Sequence, residues 1–509
     1  MEENKYIKYI DPTILGICFD YLNEEVLPKD FSNPSERKMK NISTLGDLKR
    51  ERIEIIPIKQ ELKINLIKKL KEKKTLFNDI IGYEKSVIPN IENAILAYHD
   101  IILLGERGQA KSRLLNSLVS LLDDEIAFLK GCEINDNPFN PICKECQDTI
   151  VKKGDKAEIS WLKREERFIE KLATPDTSLS DLLGDIDPIK VAEGRYLSDP
   201  MTIHYGLIPR SNRCIFAINE LPDLPERIQV GLFNILEERQ IQIKGYNLKF
   251  NLDIFLTATA NPEDYTNRGK IITPLRDRYN SQIRTHYPKT IEDEIRIIEN
   301  EKVNNFMNGL CEDVPYFIKE IIAQITHILR TNDKIDQNSG VSVRVSIDNY
   351  ENVIANAEKR TIILGEKRVV PRITDIYSTI FSTTHGKLEI NLLNDELNEE
   401  KLVESAIAGG IKKIFSKYFK GHEFEEVTEF INSGEEIFIS DVDGNDRFKF
   451  YLDKFQHTKK LLNKTTSLEH LDCLQSAFEF ALEGLFLNNK IDKIKLNQNE
   501  RIYKNNNSF

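Results

Sequence analysis

Apolar residues fall into two rhythms along the chain. Between residues 76 and 290 they collect in short continuous runs, Asp100–Leu104, Cys214–Ile218 and Ile254–Thr259, each opening into a polar or glycine-containing loop. Such runs predict strands buried on both faces of a parallel sheet, alternating with helices. Elsewhere the spacing is helical. Leu62, Ile64, Ile67 and Leu70 recur in a Lys/Glu-rich stretch, and Ile318, Ile321, Ile322, Ile325 and Ile328 follow one face of another segment. Val403, Ile407, Ile411, Ile414 and Tyr418 mark a further helix over Leu402–Phe419. Ile437–Ser440 and Phe448–Leu452 flank a turn-forming Asp-Val-Asp-Gly-Asn-Asp at 441–446, which predicts a hairpin. That turn mimics a calcium loop but has Asp446 and Leu452 where the sixth-position Gly and twelfth-position Glu belong. The last dozen residues, with Asn505, Asn506 and Asn507, read as a frayed tail.

These rhythms divide the 509 residues into a helical N-terminal segment (1–75), an α/β core (76–290), a helical domain (291–390) and, after the acidic stretch Asn394–Glu400, a smaller α+β region (391–509). Composition adds exclusions. With 40% hydrophobic and 30% charged residues, the chain is a helix-rich globular protein and not a disordered one. A net charge of -11 weighs against a nucleic-acid coat protein. The sequence has no apolar run of about 18 residues, and Met1-Glu2-Glu3-Asn4-Lys5 lacks the order of a secretory signal, so a cytoplasmic protein without a membrane span is expected. Seven cysteines, sparse and odd in number, predict reduced thiols.

The candidate chemistry begins where the run Ile101–Leu104 enters Gly105-Glu106-Arg107-Gly108-Gln109-Ala110-Lys111-Ser112. A loop of this kind wraps its amides round a polyphosphate, its Lys meets the β and γ oxygens, and its Ser hydroxyl joins a magnesium shell. Ala110 stands where the pattern expects Gly, and is tolerable there only with a negative φ. A second strand ends in Asn219-Glu220: Glu220 can orient or deprotonate an attacking water, while Asn219 replaces the Asp that normally supports magnesium. A third ends in Ala260-Asn261-Pro262, putting an amide at a strand end as a water-positioning group or a simple cap. Arg278, in Leu275-Arg276-Asp277-Arg278, and Arg344, in Ser342-Val343-Arg344, offer guanidinium groups that can stabilise a transferring phosphoryl.

In this order the motifs resemble the AAA+ ATPases, in the helix-2-insert branch that holds MoxR-type ATPases and the magnesium-chelatase I subunit. The resemblance covers about residues 76–380. It begins at Ile80-Ile81-Gly82-Tyr83-Glu84, similar to the family's adenine-side box. It continues through Ala173–Asp176, Leu182–Asp185 and Gly206–Pro209, which bracket an insert over about 175–212, and through Asn219–Pro222 and Leu232–Glu238. The resemblance implies a P-loop core with a parallel sheet, a helical lid, ATP and Mg2+ as cofactors, and assembly as a ring, usually a hexamer. It also implies a partner with a von Willebrand factor A domain. Ile81 and Gly82 would then flank the base, Asn261 would be the first sensor, Arg278 the finger offered to a neighbouring subunit, and Arg344 the second sensor.

Cys132, Cys143 and Cys146, in a loop over about 130–165, include a Cys-x-x-Cys half-site for Zn2+ without an evident fourth ligand: an Asp, a distant His or a partner chain would have to supply it. The functional expectation is a slowly hydrolysing ring ATPase that remodels a protein partner. Its rivals are a nucleotide-gated scaffold with little hydrolysis, which Asn219 favours, and the motor subunit of a metal chelatase.

Overall fold

The computed structural model describes residues 42–192, 200–238, 241–243, 246–248, 251–261, 269–303, 310–335, 340–388, 399–420, 423–440, 445–465, 470–496 and 500–505. The N-terminal stretch 1–41, the acidic residues 394–398, the turn residues 441–444 and the terminal residues 506–509 lie outside that set. The chain splits into two compact units, one of residues 1–55 and 126–162, the other of 56–125 and 163–509. The break after Ile55 falls inside the expected N-terminal segment, which therefore serves both units.

The larger unit is organised by five parallel strands: β1 (Ile101–Leu104), β2 (Phe168–Leu172), β3 (Ile215–Asn219), β4 (Phe255–Ala260) and β5 (Ser281–Arg284). Their order across the sheet is β5-β1-β4-β3-β2, every pair parallel. The continuous apolar runs are explained by this order, because β1, β4 and β3 are interior strands covered on both faces. β4 is buried along its whole length. Helices α1 (Ile58–Lys71) and α2 (Val87–Leu96) pack their Ile58, Leu62, Leu66, Ile91 and Ile95 into the same core as Ile101 and Leu103. The inward face of α1 runs through Ile58, Leu62 and Leu66, while Leu70, in the last turn of the helix, is exposed.

The insert forms a short antiparallel pair, Gly184–Ile186 against Ile203–Tyr205. Beyond the sheet come α3 (Lys111–Ser117), α4 (Ile291–Glu301), α5 (Tyr316–Arg330), α6 (Val343–Leu364), α7 (Glu399–Tyr418) and α8 (Leu471–Leu487). A single apolar core runs from Ile298 through Ile321 and Ile325 of α5 and Val403, Ile407 and Ile411 of α7 to Phe478 and Phe480 of α8.

Two expectations for the C-terminal region are corrected. The strand Ile437–Ser440 pairs antiparallel with Glu500–Lys504, and residues Asn445–Lys454 are helical, so no hairpin joins 437–440 to 448–452. The residues read as a frayed tail include that central strand of a three-stranded sheet. Its alternation decides this: Arg501 and Tyr503 face inward, and Tyr503 donates to the fully buried Glu483 at 2.7 Å. Glu483 also accepts from Lys493 (2.7 Å) and Tyr377 (2.9 Å), tying the sheet to the helical core.

The smaller unit has a helix, Leu45–Arg50, closed by a capping box between Thr44 and Asp47. Strands Glu125–Leu129 and Ile159–Lys163 pair, and Cys143 caps a helix over Lys144–Lys153. Among its described residues an apolar cluster joins Ile42, Leu48, Ala127 and Ile159, with Ile53, Ile55 and Trp161 packed against them.

Candidate functional site

The sheet order gathers the chemistry. β1 lies between β4 and β5, and β3 lies beyond β4, so the loops leaving β1, β3 and β4 open at one edge. Gly105 N–H donates to Ala260 O (3.0 Å), which sets Asn261, buried, beside the start of the β1 loop.

The loop over Gly105–Ser112 is held from inside and outside. Lys111, buried, donates its ammonium to Gly105 O (2.5 Å) and Glu106 O (2.7 Å). Tyr83 OH shares its one proton between Gln109 O (2.9 Å) and His286 O (2.7 Å), and Tyr287 OH donates to Arg107 O (2.9 Å). Burial raises both phenol pKa values, and nearby Glu106 adds to the rise at Tyr287, so each stays a donor. Two glycines are required by contact. A Cβ on Gly105 would stand 1.9 Å from Thr285 Oγ1, and one on Gly108, at φ 73°, would stand 1.9 Å from Ser342 Oγ. Ala110 departs from expectation. Its φ is 55°, in the left-handed region, because the loop must reverse there to start α3. The negative φ expected for an alanine at this point is not adopted.

Two cavities adjoin at this loop. One, of about 70 Å³, is lined by Ile80, Ile81, Tyr83, His286 and Pro288. The second, of about 700 Å³, is lined by Arg107–Arg113, Glu220 and Arg344. They share Gly108, Gln109, Ala110, Arg113, Ile297, Glu301 and Val343, so they adjoin along the loop and α4. Ile81, the β1 loop, Lys111, Ser112, Glu220 and Arg344 are thus brought together. Gly82, at φ 86°, makes the turn beside Ile81. Arg278 lines neither cavity; its guanidinium lies over the Phe233 ring at 5.2 Å.

The Asn219-Glu220 pair is held by β4. Thr259 Oγ1 donates to Asn219 Oδ1 (3.2 Å) and accepts from Glu220 N–H (3.1 Å), while Asn219 Nδ2 donates to Glu170 on β2. Helices α4, α5 and α6 are tied together through Glu294 on α4, which accepts from Arg330 at 2.6 and 2.9 Å and from Ser346 on α6 at 2.5 Å. Arg330 also stacks over Tyr287 at 4.5 Å and donates to Val341 O (2.8 Å). Thr259, Glu170, Tyr287 and Glu294 were not picked out in the sequence, since each belongs to no local motif and acquires its role by contact across elements.

The five-stranded parallel sheet with its glycine-containing loop after β1 resembles the P-loop core of AAA+ architecture. The chain resembles AAA+ ATPases of the MoxR and magnesium-chelatase I type. It is 26% identical over 204 residues to magnesium-chelatase subunit ChlI-2 of Arabidopsis thaliana, covering 39% of this chain and 45% of that one. It is 21% identical over 357 residues to subunit ChlI of Euglena gracilis, covering 67% and 96%. The chain thus spans about half the length of the first of these relatives. Among solved structures, a magnesium-chelatase BchI–BchD complex is 15% identical with a TM-score of 0.33, covering 65% of this chain and 98% of that one. NtrX of Brucella abortus in complex with ATP is 12% identical with a TM-score of 0.35, covering 78% and 72%. No protein-family profile matches the chain.

Proposed function

We propose that the chain binds ATP with magnesium and hydrolyses it slowly within a ring of its own copies, using the nucleotide state to remodel a protein partner. One observation carries the reading: Lys111 and Ser112 after β1, Glu220 after β3 and Arg344 at the start of α6 line a single cleft. ATP fits the donor set. The apolar cavity beside Ile81 and Tyr83 suits a purine, and the glycine contacts at Gly105 and Gly108 keep the loop backbone close-drawn, as a phosphate cradle requires. Lys111 would exchange its two carbonyl partners for phosphate oxygens. Ser112 would hold magnesium, which when bound neutralises charge on the β and γ oxygens. Glu220 would take up or orient the proton of the attacking water, Asn261 would steady that water, and Arg344 would clamp the phosphates from the lid. Arg278, outside both cavity linings, would act on a neighbouring subunit's nucleotide. The relatives named as magnesium-chelatase subunits support an assembly of several chains. A von Willebrand factor A partner, and a role as the motor of a metal chelatase, are the more specific forms of this reading.

Titrating labelled ATP into wild type and Lys111→Ala tests it. Loss of the ammonium should weaken binding at least about tenfold; equal affinities would remove Lys111 and the cleft from nucleotide binding. A second reading, a nucleotide-gated scaffold with no turnover, is favoured by Asn219, whose amide is already committed to Thr259 and Glu170.

A further inference from the structure

The smaller unit contains a side-chain cluster unconnected with ATP. Cys132, Asp136, Cys143 and Cys146 each offer one ligand atom, and these atoms all lie within 4.8 Å of one another. Cys132 Sγ and Cys143 Sγ are 4.0 Å apart. A disulfide would need about 2.0 Å, whereas tetrahedral zinc with Zn–S near 2.3 Å sets its sulfurs about 3.8 Å apart.

Asp136 is the decisive member. It is fully buried; its Oδ2 accepts from Cys143 N–H at 3.0 Å, and its Oδ1 has no hydrogen-bond partner. A buried carboxylate oxygen left unpaired is costly, so such atoms call for a partner. The sulfurs are prepared for negative charge: Asp136 N–H donates to Cys132 Sγ and Cys146 N–H to Cys143 Sγ, each at 3.4 Å. The backbone is bent to bring the first two residues together, with Gly131 at φ 82° and Asn135 at φ 52° on either side of Cys132. Cys143 and Cys146 are joined by the first turn of the Lys144–Lys153 helix.

We propose that Cys132, Asp136, Cys143 and Cys146 bind one zinc ion as a closed tetrahedral structural site, with Asp136 as the fourth ligand. Three thiolates select a soft or borderline metal over magnesium or calcium. Four ligands leave no open position for chemistry. Joining Cys132 and Asp136 to the first turn of the Lys144–Lys153 helix, the ion would add a cross-link to this unit beyond its apolar cluster around Leu48 and Ile159.

The full chain, purified without chelators, should carry about one zinc per chain by mass spectrometry. Cys143→Ser/Cys146→Ser should lose it. Because that variant could misfold, Asp136→Cys and Asp136→Ala are compared by titrating cobalt into metal-stripped protein. Asp136→Cys should keep the metal and raise the thiolate-to-cobalt charge-transfer intensity by about a third, as sulfur ligands go from three to four. Asp136→Ala should keep that band while shifting the d–d bands and weakening affinity. Chelation should open residues 126–162 of wild type to limited proteolysis. Zinc well below stoichiometry even after dialysis against zinc, iron in its place, or a Cys143–Cys146 disulfide would overturn the site. An Asp136→Ala variant with unchanged cobalt spectrum and affinity would overturn the fourth ligand.

Discussion

Ala110 and Asn219 carry this protein's departures from the pattern their neighbours follow. An L-residue at φ 55° costs about 1–2 kcal/mol relative to glycine, while glycine's extra freedom in the unfolded chain returns roughly 0.4–1 kcal/mol. Ala110→Gly should therefore stabilise by up to about 1.5 kcal/mol, read as a higher urea midpoint; a lower midpoint would mean that the Ala110 methyl packs favourably. At Asn219 the amide donates to Glu170 and accepts from Thr259. A carboxylate in its place would keep the threonine hydroxyl as donor but face Glu170 as a like charge. Asn219→Asp should raise single-turnover ATP hydrolysis in a magnesium series only modestly, and Asn219→Asp/Glu170→Gln should raise it further. A double variant no faster than the single one would show that Glu170 does not restrain this position. No hydrolysis in any of these proteins would favour the scaffold.

Between elements, Glu294 of α4 is the shared partner that ties α5 and α6 together. Burial opposes its charge, but contacts with His327, Arg330 and Ser346 prevail and hold its pKa below the ordinary 4.5. The sign follows: a depressed carboxyl contributes stability that is complete above pH 4.5 and is lost as pH falls through its folded value. Glu294→Gln should lower stability at neutral pH by about 3–5 kcal/mol, since Arg330 loses a buried partner. The gap from wild type should stay constant down to about pH 4.5 and narrow below it. A gap independent of pH throughout would deny Glu294 its charge in the folded protein. None of this was legible beforehand. Glu294, Arg330 and Ser346 are far apart in the chain, and each alone reads as an ordinary helix residue.

For the whole molecule, Arg278 lies outside the cleft linings while Lys111, Glu220 and Arg344 line one cleft. In a ring with trans action, an equal mixture of Arg278→Ala and Glu220→Gln chains would restore about a quarter of the interfaces. Steady-state ATPase in the mixture should exceed that of either variant alone. Activity that never rises above the two separate proteins would place Arg278 in its own chain's site or outside catalysis. Among the described residues no helix is long and apolar enough to cross a membrane.

The sequence alone determined the strands β1, β3 and β4, the glycine-containing turn from β1 into α3, the helices around Ile321 and Ile407, and the close approach of Cys143 and Cys146, because each is written in neighbouring residues by period or spacing. Tertiary structure decided the rest. Asp136 completes the cysteine cluster only when the turn after Gly131 brings it back, and Glu500–Lys504 is a strand only because Ile437–Ser440 lies beside it and Glu483 beneath Tyr503. The left-handed Ala110 follows from the reversal needed between a fixed strand and a fixed helix, a demand that side-chain identity does not reveal. Local periodicity specifies an element; partners remote in sequence specify where a buried polar atom or a strand edge finds its match.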